Sequence, residues 1–124
     1  MGPIDVQLQR LQARHPQATA SASAGGGMVI SVPDVELPAG WNKPSTGVHF
    51  WAQQGYPYAK LDCFWTDTDL LLASGNPPQN TGRTGPPELA GLLWFSWHTD
   101  HWNPGRDDFL TWMASVRDRL NRAV

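Results

Sequence analysis

The order of patterned segments predicts an α+β domain: an N-terminal helix, a four-stranded antiparallel meander, a long loop and a C-terminal helix. Three observations carry this reading. Apolar residues recur at helical spacing at both ends of the chain. Between them, short runs rich in β-branched and aromatic residues are broken by Gly and Pro. Residues 73 to 87 then form a stretch of Gly, Pro, Asn and Thr with no periodicity.

The first helix is marked by Ile4, Leu8, Leu11 and His15, with Pro3 suited to its first turn and Pro16 ending it. Residues 17 to 24 alternate small and polar side chains, which predicts a strand with a thin face. Gly25-Gly26-Gly27 permits a turn, so Met28 to Val32 reads as the second strand of a hairpin. A third strand covers Gly47 to Gln53, where Val48, Phe50 and Ala52 share one face. A fourth covers about Leu61 to Asp67. The closing helix is expected from about Pro104 to Arg122, with Asn103 as N-cap. Phe109, Met113, Val116 and Leu120 form its buried stripe, while Arg117, Asp118, Arg119 and Arg122 lie mostly outside.

Composition limits the function classes. A chain of 124 residues is one domain, 1–124, and no internal repeat or linker divides it. An apolar fraction of 40% is slightly low, and seven tryptophans offset it with large buried areas. A net charge of −2 with no basic stripe argues against nucleic acid and against a membrane surface. The one cysteine, Cys63, cannot close an internal disulfide, which fits a reducing compartment. No signal peptide is visible, and no apolar run approaches the roughly 20 residues of a membrane span. A cytoplasmic location is expected.

The chemistry concentrates in Gly91-Leu-Leu-Trp-Phe-Ser-Trp-His-Thr-Asp-His-Trp-Asn-Pro104. Ser96 and His98 are two apart, so on extended backbone they project from one face. A hydroxyl beside an imidazole is the minimal pairing for an activated oxygen nucleophile. Serine holds its proton tightly at neutral pH and needs a base within hydrogen-bond reach; His98 fits, with Asp100 or His101 to orient or assist it. His98 and His101 also have a chelating spacing, yet zinc takes three or four ligands and Asp100 is the only obvious local third, so no metal is expected. Trp97 and Trp102 flank the pair and would shelter it from water. Cys63 sits in the apolar run Leu61 to Trp65 and reads as a small buried hydrophobe.

The order of elements, together with particular residues, resembles the ubiquitin-conjugating-enzyme (UBC) superfamily, and within it the small UBC-like proteins of bacterial ubiquitin-like conjugation operons. Gly55-Tyr56-Pro57 followed by Phe64-Trp65-Thr66 looks like the family's Tyr-Pro turn and the Phe-x-Thr strand after it. The apolar strand from Leu92, Trp102-Asn103-Pro104 and the terminal helix resemble its active-site segment. Leu37-Pro38-Ala39-Gly40 and the run Leu93 to His98 look like hallmarks of the bacterial branch. The chain also departs from the pattern. The Pro-Pro after Tyr-Pro is absent, and the His-Pro-Asn motif is replaced by Asn76-Pro77-Pro78-Gln79-Asn80. No cysteine lies between that loop and Trp102, where the family keeps its thioester-forming residue.

The resemblance implies a UBC/RWD-like fold with a long active-site loop. It implies a protein that accepts an activated ubiquitin-like C-terminus from an activating enzyme and passes it to an amine. Ser96 stands where the cysteine would be, which implies an oxyester carrier. Asn80, or Asn76, takes the oxyanion-supporting place of the family's asparagine, although Asn beside Pro also favours turns. The partners implied are the ubiquitin-like protein and the activating enzyme, which would dock on the first helix and carry out adenylation, so this chain needs no cofactor. The alternative is a catalytically inactive UBC- or RWD-like module that only binds or scaffolds those partners.

Overall fold

The computed structural model describes residues 2–124. Helix α1 spans Pro3–Arg14, with Pro3 at its first position and the Asp5 carboxylate accepting the Gly2 N–H at 3.2 Å. Leu11 is its fully buried anchor. Strands β1 (Thr19–Ala22) and β2 (Met28–Glu36) form the expected hairpin. Its turn requires glycine at Gly27: φ is +74°, and a Cβ there would lie 2.2 Å from the Ala52 carbonyl oxygen.

Strand β2 continues past Val32 because its register shifts between Val32 and Val35, which takes Pro33 and Asp34 out of the ladder. Strand β3 (Ser45–Ala52) alternates cleanly, with Thr46, Val48, Phe50 and Ala52 all buried. Strand β4 is only Phe64–Thr66. The expected start at Leu61 fails because Cys63 has φ +61°, which breaks extended backbone just before the ladder begins.

Among the described residues the sheet has six strands rather than four. Strands β5 (Thr81–Gly82) and β6 (Leu93–Phe95) extend it, in the order β1-β2-β3-β4-β6-β5, antiparallel throughout. The meander of four is therefore corrected. The loop after Ala73 supplies the edge strand β5, so it is partly ordered into the sheet.

The closing helix is shorter than expected. Helix α2 spans Phe109–Leu120, and its N-cap is Asp108, whose carboxylate accepts the Thr111 N–H at 3.0 Å. Asn103 instead organises a separate turn, its side-chain oxygen accepting the Gly105 N–H and its carbonyl accepting the Asp107 N–H. Pro104 lies in that turn, outside the helix.

One core fills the space between the sheet and both helices, from Leu11, Ile30, Phe50 and Phe64 to Phe95, Phe109 and Met113. Phe64 and Phe95 stack at 4.6 Å between centroids, joining β4 to β6. A smaller cluster of Val29, Cys63, Trp65 and Leu89 covers the other face of the sheet. Arg119 is buried, against expectation. Its guanidinium lies over the Phe95 ring and donates to the carbonyls of Gln79, Arg122 and Val124 at 2.9 to 3.1 Å. It thereby ties α2 to the loop that precedes β5.

Candidate active site

The alternation of β6 runs on beyond its last paired residue. Leu93 and Phe95 face the main core, and Trp97 follows them, its indole N–H donating to Ser115 on α2. Trp94, Ser96 and His98 therefore face the other way. The backbone is pinned on both sides. The Ser96 N–H donates to the Asn80 carbonyl at 2.8 Å, and the Trp97 carbonyl accepts the Cys63 N–H at 2.7 Å. Lys60 donates to the Thr99 carbonyl at 3.2 Å and holds the segment one residue further on.

On this frame the Ser96 hydroxyl lies 3.2 Å from His98 Nε2. His98 Nδ1 lies 2.5 Å from a carboxylate oxygen of Asp62. A carboxylate only accepts, so Nδ1 carries a proton, and in the neutral imidazole Nε2 is then the nitrogen whose lone pair faces the serine. Serine, histidine and aspartate thus stand in line, in the relation that activates an oxygen nucleophile. The arrangement is open to solvent: the His98 and Asp62 side chains are 55% and 36% exposed.

The orienting groups that the sequence offered are elsewhere. Asp100 and His101 are both exposed, and among the described residues neither makes a hydrogen bond to His98. His101 lines a cleft of about 160 Å³ with Thr99, Trp102, Arg106, Thr111 and Trp112. Asp62 was missed because it lies 36 residues from His98 in sequence. Its signal was an acid inside the otherwise apolar run Leu61 to Trp65.

Asn80 lies beside Ser96 through its backbone, in the left-handed region at φ +58°. Its side chain is exposed, and among the described residues its amide makes no hydrogen bond. Asn76 lies further back, its carbonyl closing a turn with the Leu72 N–H. Trp97 and Trp102 do not cover the pair. Trp97 is turned to α2, and Trp102 donates to the Pro57 carbonyl at 2.7 Å, clamping the Tyr56-Pro57 turn against the segment. Tyr56 in that turn stacks on Phe109 and donates to Gln7 on α1.

Cys63 is buried but adjacent. Its sulfur, an Asp62 oxygen and a His98 nitrogen all lie within 4.8 Å of one another. Burial pushes its thiol up, while hydrogen bonds from the Trp97 backbone and the Trp94 indole act in the opposite sense.

Among the described residues no helix is long and apolar enough to cross a membrane. No match was found among curated proteins or among solved structures. The sequence does match prokaryotic E2 family E over residues 6–123, nearly its whole length. The Tyr-Pro turn, the strand after it and the Ser96 segment all fall inside that match, and the chain belongs to prokaryotic E2 family E.

Proposed function

We propose that this chain is a ubiquitin-like-protein carrier that holds its cargo as an oxyester on Ser96. Membership of an E2 family implies a role in ubiquitin-like conjugation, with a ubiquitin-like protein and an activating enzyme as partners in general terms. The observation that carries the finer reading is the line Ser96–His98–Asp62, at 3.2 and 2.5 Å. A hydroxyl is a competent acyl acceptor at neutral pH only with a base in contact.

In loading, Ser96 Oγ attacks the activated C-terminal carbonyl presented by the activating enzyme, and its proton passes to His98 Nε2. The leaving group departs with the electron pair of the broken acyl bond, and the ester C–O bond remains on Ser96. Asp62 holds the imidazole in the required tautomer and balances the charge it gains. In discharge, a target amine attacks the ester. His98 takes a proton from the amine and returns one to Ser96 Oγ as the C–O bond breaks. The exposed amide of Asn80 is the donor proposed for the oxyanion, since the backbone carbonyl of Asn80 already accepts the Ser96 N–H. Asp100 and His101 remain as nearby groups that a docked partner could recruit. The catalytically inactive alternative needs no base against the hydroxyl and no carboxylate behind that base.

The test is incubation with activating enzyme, ATP and the ubiquitin-like protein. A Ser96 ester survives reducing agent and yields to hydroxylamine or strong base. Ser96→Ala abolishes it, and Ser96→Cys gives an adduct that a thiol now cleaves. Equal loading of wild type and Ser96→Ala rules out the oxyester.

A further inference from the structure

We infer that Asp62, Cys63 and His98 form a binding site for a zinc-class divalent cation, and that its occupancy takes the base away from Ser96. The site half of this inference stands on the donor geometry alone; the switching half rests on the oxyester reading above.

Three donors of the kinds zinc prefers converge here. They are a thiol, an imidazole nitrogen and a carboxylate oxygen, all within 4.8 Å of one another. Zn–N and Zn–O bonds of about 2.0 Å and Zn–S bonds of about 2.3 Å place the donors of a tetrahedral ion roughly 3.3 to 3.8 Å apart. The Asp62–His98 pair, now at 2.5 Å, must open by under about 1.5 Å, and the remaining separations close by a similar amount at most. Both side chains are partly exposed and on irregular backbone, which gives them that freedom and gives the ion a route in. Cys63 is the fixed wall. Its positive φ turns it off the β4 ladder, and its N–H is bonded to Trp97. Three protein ligands leave a fourth position for water.

The consequence for the serine follows from the imidazole. An ion seated between Asp62 and Cys63 takes His98 Nδ1, the nitrogen that faces Asp62. The ion displaces the Cys63 thiol proton to solvent, and the imidazole, still neutral, must carry its own proton on Nε2. Nε2 then donates to Ser96 Oγ instead of accepting from it, and the hydroxyl has no base. Carrier loading would be shut off by metal and restored by its removal.

Cobalt(II) is the probe for the site, because thiolate and tetrahedral coordination each give it a distinct absorption. Wild-type protein titrated with Co²⁺ is expected to show a near-ultraviolet sulfur charge-transfer band and intense visible bands. Cys63→Ser should lose the charge-transfer band, His98→Ala should lose both, and Ser96→Ala should keep both. No band in wild type, or a band unchanged in Cys63→Ser, overturns the site whether or not the chain ever loads. For the switch, loading is measured with one equivalent of Zn²⁺ and again after chelator. Wild type should stop and recover. Cys63→Ser should load equally with and without zinc, which also shows that the activating enzyme tolerates the metal. Undiminished loading of wild type with the cobalt-competent site filled by zinc overturns the switch.

Discussion

Replacing Asp62 by Asn removes the charge behind the base and leaves the volume unchanged. The Asp62–His98 contact is charge-assisted and 2.5 Å long. A hydrogen bond to a charged group contributes about 1.5 to 3 kcal/mol when well sheltered. The two side chains are 36% and 55% exposed, so water screens the pair and the lower end applies, about 1.5 kcal/mol. At about 1.4 kcal/mol for each factor of ten, loading should slow about tenfold. An amide that turns its NH₂ toward Nδ1 would also favour the wrong tautomer, moving the loss toward a hundredfold, on the order of a general base's whole contribution. The assay is single-turnover transfer from charged activating enzyme, followed with rising enzyme concentration. The half-saturating concentration should stay as in wild type while the maximal rate falls, since Asp62 acts through His98. Wild-type loading by Asp62→Asn, or an equal slowing by Asp100→Asn, would refute the relay.

Three further outcomes are expected. Arg119→Met removes the donors to the Gln79, Arg122 and Val124 carbonyls while keeping an apolar stem over Phe95; it should cost about 2 to 4 kcal/mol in urea unfolding. Gly85 has φ +137°, and a Cβ there would meet the Trp65 ring at 2.9 Å; Gly85→Ala should cost about 1 to 3 kcal/mol, and a neutral result would mean that the loop is not held over Trp65. Burial lowers the affinity of His49 for its proton, and burial with Arg117 and Arg14 does so for His15. Both groups are held neutral in the fold, so their stabilisation is present above pH 6.5, the unfolded value, and is lost as pH falls through their lowered folded values. Urea midpoints of a His15→Gln, His49→Gln double variant should fall less steeply below pH 6.5 than those of wild type.

The two helices and strand β3 could be read from periodicity because each buries one face against the main core. Val48, Phe50 and Ala52 repeat every second residue, and Leu8 and Leu11 lie on one helix face. The two-residue β5 and three-residue β6 are too short for a period to show. What makes them strands is non-local: β6 is flanked on both sides, with Phe64 opposite Phe95 on one and Thr81 opposite Phe95 on the other. The early start assigned to α2 has a different cause. Asn103-Pro104 and Asp108 each offer a helix start, and local preference does not rank them. Asp108 prevails because Thr111, three residues on, returns a hydrogen bond to its N–H and completes the cap.

The site divides along the same line. Ser96 and His98 were legible because they are two residues apart on one strand continuation, where geometry follows from the pleat. Asp62 was not, because its position is set by the pairing of β4 with β6 and by the left-handed turn at Cys63, which no local pattern announces. That turn has a second effect. It swings Cys63 from the register an uninterrupted strand would give it, and brings its sulfur to the same place as the carboxylate and the imidazole. A cysteine that sequence alone assigns to packing thus lies beside the base of the proposed carrier serine. On the two proposals above, the same residues offer two exclusive states: a relay with Nε2 open toward Ser96, or a chelate with Nε2 protonated. The exposure of His98 and Asp62 permits exchange between them without disturbing the core behind Phe95.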